Sequence, residues 1–220
     1  MYYSIAIDGP AGSGKSTIAK AVAKELNYVY IDTGAMYRAI TLKALNLHID
    51  NLADESKYSF IKDTKLEFID DKMHMDGVDV SKEIRTEKVV KNVSLVSSLK
   101  YVRELLVEMQ RDMAKSNNVI MDGRDIGTNV LTNATLKIFL TAAIDVRALR
   151  RYYESIENGV EVNYDDTITD IIRRDNFDSN RLHNPLRKAD DAIVLDSSSM
   201  NIDEVKNNII KLFKELIKNE

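Results

Sequence analysis

The stretch Gly9-Pro10-Ala11-Gly12-Ser13-Gly14-Lys15-Ser16-Thr17 limits this chain more than any other. It fits the pattern G-x-x-x-x-G-K-[ST], with Gly9, Gly14, Lys15 and Ser16 in the fixed places. Before it, Tyr3 to Asp8 is an apolar, β-branched run that reads as a buried strand. After it, Ile18 to Leu26 carries apolar residues at helical spacing. Between a strand and a helix, such glycines let successive backbone N–H groups turn inward around a phosphate. The helix starting near Lys15 adds free N–H groups and the positive end of its dipole. Lys15 supplies a full charge for the β and γ phosphates, and the Ser16 hydroxyl is placed to ligate Mg²⁺. The bland alternative is a glycine-rich turn that binds nothing, but the strand–helix context argues against it.

A chain of 220 residues fits one α/β domain, 1–220, with a small insert. It has no cysteine, so disulfides and thiolate metal sites are out of reach. A strand beginning by Tyr3 leaves no room for a signal peptide, and no apolar run reaches the roughly 18 residues of a membrane span. A soluble, cytoplasmic protein is expected. The net charge of −4 argues against a nucleic-acid polymer as partner, whose binding surface is usually basic.

Further strand–helix units follow. Tyr28 to Ile31 reads as a strand ending at Asp32, and Asp32-Thr33-Gly34-Ala35-Met36-Tyr37-Arg38 opens a helix. Thr33 could cap that helix, contact a ligand, or both. Residues 48 to 62 are polar with weak helical character. Leu66–Ile69, Met73–Met75 and Val78–Val80 read as short strands joined by tight turns, one of them Asp76-Gly77. They predict an inserted antiparallel subdomain near residues 63–84. His74 reads as a surface or packing residue rather than a metal ligand.

Thr86 to Leu99 and Val102 to Lys115 read as helices with apolar stripes. Val119 to Met121 is a strand ending in Asp122-Gly123-Arg124-Asp125-Ile126-Gly127-Thr128. An acid at a buried strand's end, downstream of a phosphate loop, is where the carboxylate on the Mg²⁺ side sits. Asp122 takes that place, unless it merely caps the turn, and Asp125 reaches toward an acceptor. A strand over Leu136–Leu140 and a helix from about Asp145 come next, the helix stopping at Glu157-Asn158-Gly159. Residues 166–174 read as a further helix leading into Arg174-Asp175-Asn176-Phe177-Asp178-Ser179-Asn180-Arg181. Ala192–Leu195 is the last strand, and Asn201 to Glu204 forms a capping box for the last helix. The expected fold is an α/β phosphate-loop NTP-binding three-layer sandwich around a parallel central sheet, with a helical lid at about residues 147–165.

Lysine outnumbers arginine 19 to 12, yet the interval between Lys137 and Lys188 holds seven arginines and no lysine. These are Arg147, Arg150, Arg151, Arg173, Arg174, Arg181 and Arg187. Arginine's planar fork grips phosphate or carboxylate through two parallel bonds and stays charged in a dry site. About half of the seven are expected to reach ligand, the rest forming surface helix pairs with acids such as Asp145 and Glu154.

The phosphate loop, D-T-G-A-M-Y-R at Asp32–Arg38, E-I-R-T at Glu83–Thr86, D-G-R-D-I-G-T at Asp122–Thr128, R-D-x-x-D-x-x-R at Arg174–Arg181 and P-L-R-K-A-D-D-A at Pro185–Ala192 together resemble the bacterial cytidylate kinases. The resemblance covers nearly the whole chain, in order, and includes the insert. It implies transfer of the γ-phosphoryl group of MgATP to CMP or dCMP in pyrimidine nucleotide metabolism, by a monomer. On that resemblance Gly9 to Thr17 hold ATP, Lys15 and Ser16 serve the phosphates and Mg²⁺, and Asp122 backs the metal. Thr33, Tyr37 and Arg38 approach the acceptor, and Arg38 and Arg124 grip its phosphate. Ser94, Arg103, Asp125 and Arg181 are candidates for the cytosine edge, and Arg174 and Asp178 for the sugar. Arg150 and Arg151 resemble lid residues closing on the transferring phosphate, which with Lys15 and Arg124 makes the expected catalytic set. The segment after Thr128 lacks an expected proline.

Cytosine's exocyclic amine suits a carboxylate acceptor such as Asp125, whereas uracil presents an oxygen there. The rival readings are a kinase for another acceptor, such as a different nucleotide or a small hydroxylated metabolite like shikimate, and a nucleotide-dependent switch. The N-K-x-D guanine motif expected of a switch GTPase is absent from the sequence.

Overall fold

A computed structural model of the protein describes residues 2–157 and 159–218. By its internal contacts the chain divides into two compact units. One comprises residues up to Tyr30 together with those from Asn117 onward, and the other Ile31–Ser116.

The first unit is built on a five-stranded sheet. Strands β1 (Ser4–Asp8), β2 (Val29–Asp32, of which Val29 and Tyr30 belong to this unit), β6 (Val119–Gly123), β7 (Leu136–Thr141) and β8 (Ile193–Asp196) lie in the order β2-β6-β1-β7-β8. β1 pairs in parallel with β6 and β7, and β7 with β8. Ile5 stands opposite Ile120 on one side and Leu136 on the other. Side chains from both neighbours therefore flank the central strand, and its continuous apolar run is buried, as a parallel interior strand requires. Helices α1 (Lys15–Leu26) and α7 (Ile202–Ile217) share a core with β1 and β7. Phe213 of α7 is 1% exposed, and Tyr3 and Tyr28 meet its ring edge-on, each with centroids 5.8 Å apart. α7 starts with the expected capping box: the Asn201 side chain accepts from the Glu204 N–H, and the Glu204 carboxylate from the Asn201 N–H.

Two helices, α5 (Ile144–Glu157) and α6 (Tyr164–Asn180), complete this unit. Asn158, placed by sequence at the end of α5, lies outside the described residues, and the adjoining Gly159 N–H donates to the Ile156 carbonyl. α6 is one helix of 17 residues, longer at both ends than the 166–174 read from the sequence. In its last turns Asp178 points inward and pairs with Arg124. Asn163 caps the helix, its side chain accepting from the Asp165 N–H at 2.7 Å. Ile126–Val130, read by sequence as a turn, coils into one π-helical turn.

The second unit contains α2 (Thr33–Asn46), a 3₁₀ helix (Glu55–Asp63), strands β3 (Leu66–Ile69), β4 (Lys72–Met75) and β5 (Val78–Asp79), and helices α3 (Glu87–Ser98) and α4 (Lys100–Ala114). The three strands pair antiparallel in sequence order around the expected Asp76-Gly77 turn. Asp76 is held there by Lys43 of α2, at 2.6 Å. The weak helical signal before residue 63 resolves as the 3₁₀ segment, and Glu55 at its start performs a specific task. Its carboxylate accepts from the Lys100 and Tyr101 N–H groups, satisfying the orphan donors at the start of α4. Buried Met36, Ile40, Tyr58, Ile61, Val93, Val96 and Leu106 fill this unit's core. Among the described residues, no helix is long and apolar enough to cross a membrane.

Removing the Phe213 ring leaves a cavity between α7 and the two tyrosines. Phe213→Ala should lower the unfolding free energy by about 3–5 kcal/mol, measured as a shift in denaturant midpoint at unchanged slope.

Candidate functional site

The phosphate loop leaves the end of β1 and enters α1 at Gly14, the helix N-cap. At Gly9 the chain passes so close to β7 that a Cβ would lie 2.0 Å from the Leu140 carbonyl oxygen, so only glycine fits. Lys15 is buried at the first position of α1, its ammonium donating to the Pro10 carbonyl at 2.7 Å and the Ser13 hydroxyl at 3.3 Å. Burial, followed by the nearby charge of Arg124, pushes the Lys15 pKa well below its ordinary value. An anion beside this ammonium reverses that push, which is the electrostatic basis for phosphate attraction here. Ser16 and Thr17 are exposed at the loop's end.

Asp122 sits where sequence placed it, at the carboxyl end of β6. Its Oδ2 accepts from the Ser16 hydroxyl at 2.7 Å and its Oδ1 from the Tyr30 hydroxyl at 2.9 Å. A serine hydroxyl and a carboxylate in contact beside a phosphate loop are hard oxygen donors of the kind Mg²⁺ takes. The chemistry of this pair therefore fits the ion. Tyr30 was missed by sequence reading, because an alternating strand residue carries no signal of its partner.

Asp8 was missed too, although the reasoning that found Asp122 applies to it: an acid closing a buried strand beside the glycines. It is 4% exposed, with Oδ1 accepting from the Ile126 N–H at 2.8 Å and Oδ2 from the Gly127 N–H at 2.7 Å. These bonds tie the end of β1 to the turn following Asp122-Gly123-Arg124-Asp125. Burial raises its pKa to about 6, against the opposing pull of the two N–H groups.

The predicted acceptor residues fall into two groups, one in each unit. In the first unit, Arg124 donates to Asp178 Oδ2 at 2.7 Å, and Arg181, the C-cap of α6, to Asp125 Oδ1 at 3.0 Å. Asn129 donates to the other Asp125 oxygen, and Arg181 also donates to the Asn184 carbonyl. Arg174 is half-buried on the same face of α6, at helical spacing from Asp178. Burial acts to raise the Asp178 pKa, but Arg124 and Arg174 outweigh it and hold this carboxyl below its usual range. The long α6 thus gathers Arg174, Asp178 and Arg181 with the Arg124-Asp125 pair.

In the second unit, Asp32 caps α2, accepting from the Ala35 N–H, so capping does not fall to Thr33, which is buried in the first turn. Arg38, one turn on, donates to Asp32 Oδ2 at 3.0 Å. A Cβ at Gly34 would press within 3.0 Å of the Arg38 guanidinium, so the small residue leaves that head group its place. Arg103 of α4 is 1% exposed, donates to the Ser97 carbonyl at 2.9 Å and stacks 5.4 Å from the Tyr37 ring centre. Ser94 is half-buried on α3.

The arginine-only interval sorts unevenly. Arg150 lies beside the phosphate loop, bonded to the Ser197 hydroxyl and carbonyl, and its guanidinium comes within 3.5 Å of the Ser13 carbonyl. Arg151 and Arg173 form surface pairs with Glu154 and Asp170, and Arg187 is exposed. Arg147 is buried against protein groups. The lysine at the interval's start, Lys137, pairs with Asp191, giving the P-L-R-K-A-D-D-A motif a structural task.

Between about pH 4 and 6 the native protein keeps a proton on Asp8 that the unfolded chain, titrating near 3.8, has lost. The carboxylate is therefore disfavoured by folding, and stability falls as pH rises through about 6. Relative to Asp8→Asn, the wild type should lose up to about 3 kcal/mol between pH 4 and 7, read from denaturant melts of both proteins across that range.

Residues 5–215 match the profile of a protein family described as cytidylate kinase. A cytidylate kinase of Alkaliphilus oremlandii is 50% identical over 213 residues, spanning 97% of this chain and 98% of its own. One from Bacillus subtilis is 46% identical over 216 residues, 96% of each chain. An uncharacterized protein from Eubacterium ventriosum, of solved structure, aligns over 98% of this chain and 99% of its own with a TM-score of 0.56. At 15% identity it shares the fold alone.

Proposed function

Because the chain belongs to the cytidylate kinase family, we infer that it transfers the γ-phosphoryl group of ATP to CMP or dCMP, releasing ADP and CDP or dCDP. The observation that carries this reading is the family match over residues 5–215, which spans the phosphate loop and every motif gathered on α6. The acceptor phosphate is an ionised nucleophile and needs no general base. Positioning and charge neutralisation therefore do most of the work.

Gly9 to Thr17 take the donor phosphates, with Lys15 countering their charge. Mg²⁺, held by Ser16 with Asp122 behind it, supplies further neutralisation of the phosphoryl oxygens. Arg124 and Arg38 are the candidates for the acceptor phosphate. Each keeps a carboxylate partner, Asp178 or Asp32, which fixes the fork's direction. Arg174 and Asp178 are assigned to the sugar. Arg150, beside the loop, suits the transferring phosphate. Arg151 is assigned the same role, and it would have to leave its exposed pair with Glu154 to fill it.

Thr33, Tyr37, Ser94, Arg103, Asp125 and Arg181 are the remaining acceptor candidates. The Asp125 oxygens accept from Arg181 and Asn129, which fixes the direction of the carboxylate. A carboxylate is an acceptor only, so Asp125 suits the cytosine amine, which donates. A uracil oxygen facing it goes unpaired, which is how buried polar groups reject such an analogue. A monomer working in the cytoplasm on small nucleotides, with no nucleic-acid polymer as partner, completes the proposal.

A panel of CMP, dCMP, UMP and AMP with ADP release as readout tests the reading; strong turnover with AMP or none with CMP sinks it. Lys15→Ala should lower kcat by at least about a hundredfold with little change in melting temperature. Asp125→Ala should narrow the CMP-over-UMP ratio of kcat/KM, and an unchanged ratio removes Asp125 from the base edge.

A further inference from the structure

Two charged groups of the first unit have no task in the transfer above: Arg147 of α5 and Asp175 of α6. Both converge on Ala11, inside the phosphate loop. Arg147 Nη1 donates to the Ala11 carbonyl at 2.8 Å and to Asp175 Oδ2 at 2.5 Å, and its Nε donates to the Ala142 carbonyl at 3.0 Å. The other Asp175 oxygen accepts from the Ala11 N–H at 2.9 Å. One loop residue thus has both its backbone groups held by side chains from two helices. The backbone of α5 is close as well: a Cβ on Gly12 would sit 2.8 Å from the Arg147 carbonyl oxygen. Arg147 is 7% exposed.

A carboxylate bonded to a loop that takes a triphosphate is electrostatically adverse unless something cancels it. Arg147 cancels it directly, and its fork can do so while gripping two carbonyls, which an ammonium's geometry does not match. We propose that Arg147 and Asp175 are positioning residues for the donor nucleotide. Arg147 clamps Ala11 and neutralises Asp175, so the loop meets the triphosphate in one shape and without an opposing charge. The proposal rests on the ATP-dependent reading above and extends it to a contact that touches no substrate.

The two halves of the pair carry opposite expectations. Arg147→Met leaves the Asp175 carboxylate uncompensated, and KM for ATP should rise about tenfold, the scale of one charged hydrogen bond, with KM for CMP within about twofold. Asp175→Asn keeps an oxygen for the Ala11 N–H and removes the charge, so KM for ATP should stay within about threefold. The double variant should regain at least about threefold of what Arg147→Met loses. A pair with only a structural role damages both singles alike and moves both KM values together, and that result overturns the proposal. If Arg147→Met does not fold, Arg147→Lys keeps the charge and loses the fork. It should still raise KM for ATP selectively, and an unchanged ratio of the two KM values also overturns the proposal. Wild-type turnover of CMP is measured first. Its absence would sink the functional reading alone, and the dissociation constant for ADP by calorimetry then becomes the readout for the clamp.

Discussion

Burying a carboxylate is costly unless its oxygens are satisfied, and the first unit is organised around two that are. Asp8 and Asp122 close adjacent parallel strands, in a register that sets Ile7 against Asp122 and Asp8 against Gly123. Asp8 collects two backbone N–H groups from the turn after β6, and Asp122 collects two hydroxyls, from Ser16 and Tyr30. The first acid fastens the sheet's central strand to the Arg124-Asp125 turn. The second fastens the same turn's root to the start of α1. The phosphate loop and the Arg124-Asp125 turn are thereby held in fixed relation.

α6 extends the same logic. Along one face it presents Asp175 to the phosphate loop and Asp178 to Arg124, and its C-cap Arg181 to Asp125. Each of these pairs with the opposite charge: Asp175 with Arg147, Asp178 with Arg124 and Arg181 with Asp125. Such pairs add little net stability when buried, because desolvation offsets attraction. What they supply is direction: an arginine fork aimed by its partner presents its remaining donors to an anion without first being immobilised.

The strand–loop–helix unit was legible from residues 3 to 26, because glycine pattern, apolar run and helical stripe are local signals. The antiparallel strands after Lys65, the capping box at Asn201 and an acid, Asp122, at the end of a buried strand were legible for the same reason. Arg124, Asp125, Arg174, Asp178 and Arg181 were singled out through motif resemblance, and their pairing emerged only when chain segments about 55 residues apart met. The helix read over residues 166–174 runs on to Asn180, since the polar content of 175–180 hides a face that turns inward through ion pairing rather than apolar contact. Asp175 stood inside a recognised motif and was passed over, because nothing local marks a partner 164 residues away.

Alone, the order of residues determined a phosphate-binding loop between strand and helix, a parallel-sheet architecture with an antiparallel insert, and a chemistry of phosphate and arginine. Those follow from periodicity and from what glycine, lysine and arginine can do within a few residues. Only the tertiary structure decided which arginines are tools and which are fasteners: Arg147 and Arg150 come from one helix, yet one is locked onto Ala11 and the other lies beside Ser13. Residue type sets charge and reach, whereas burial and the partner across the fold determine where the donors point.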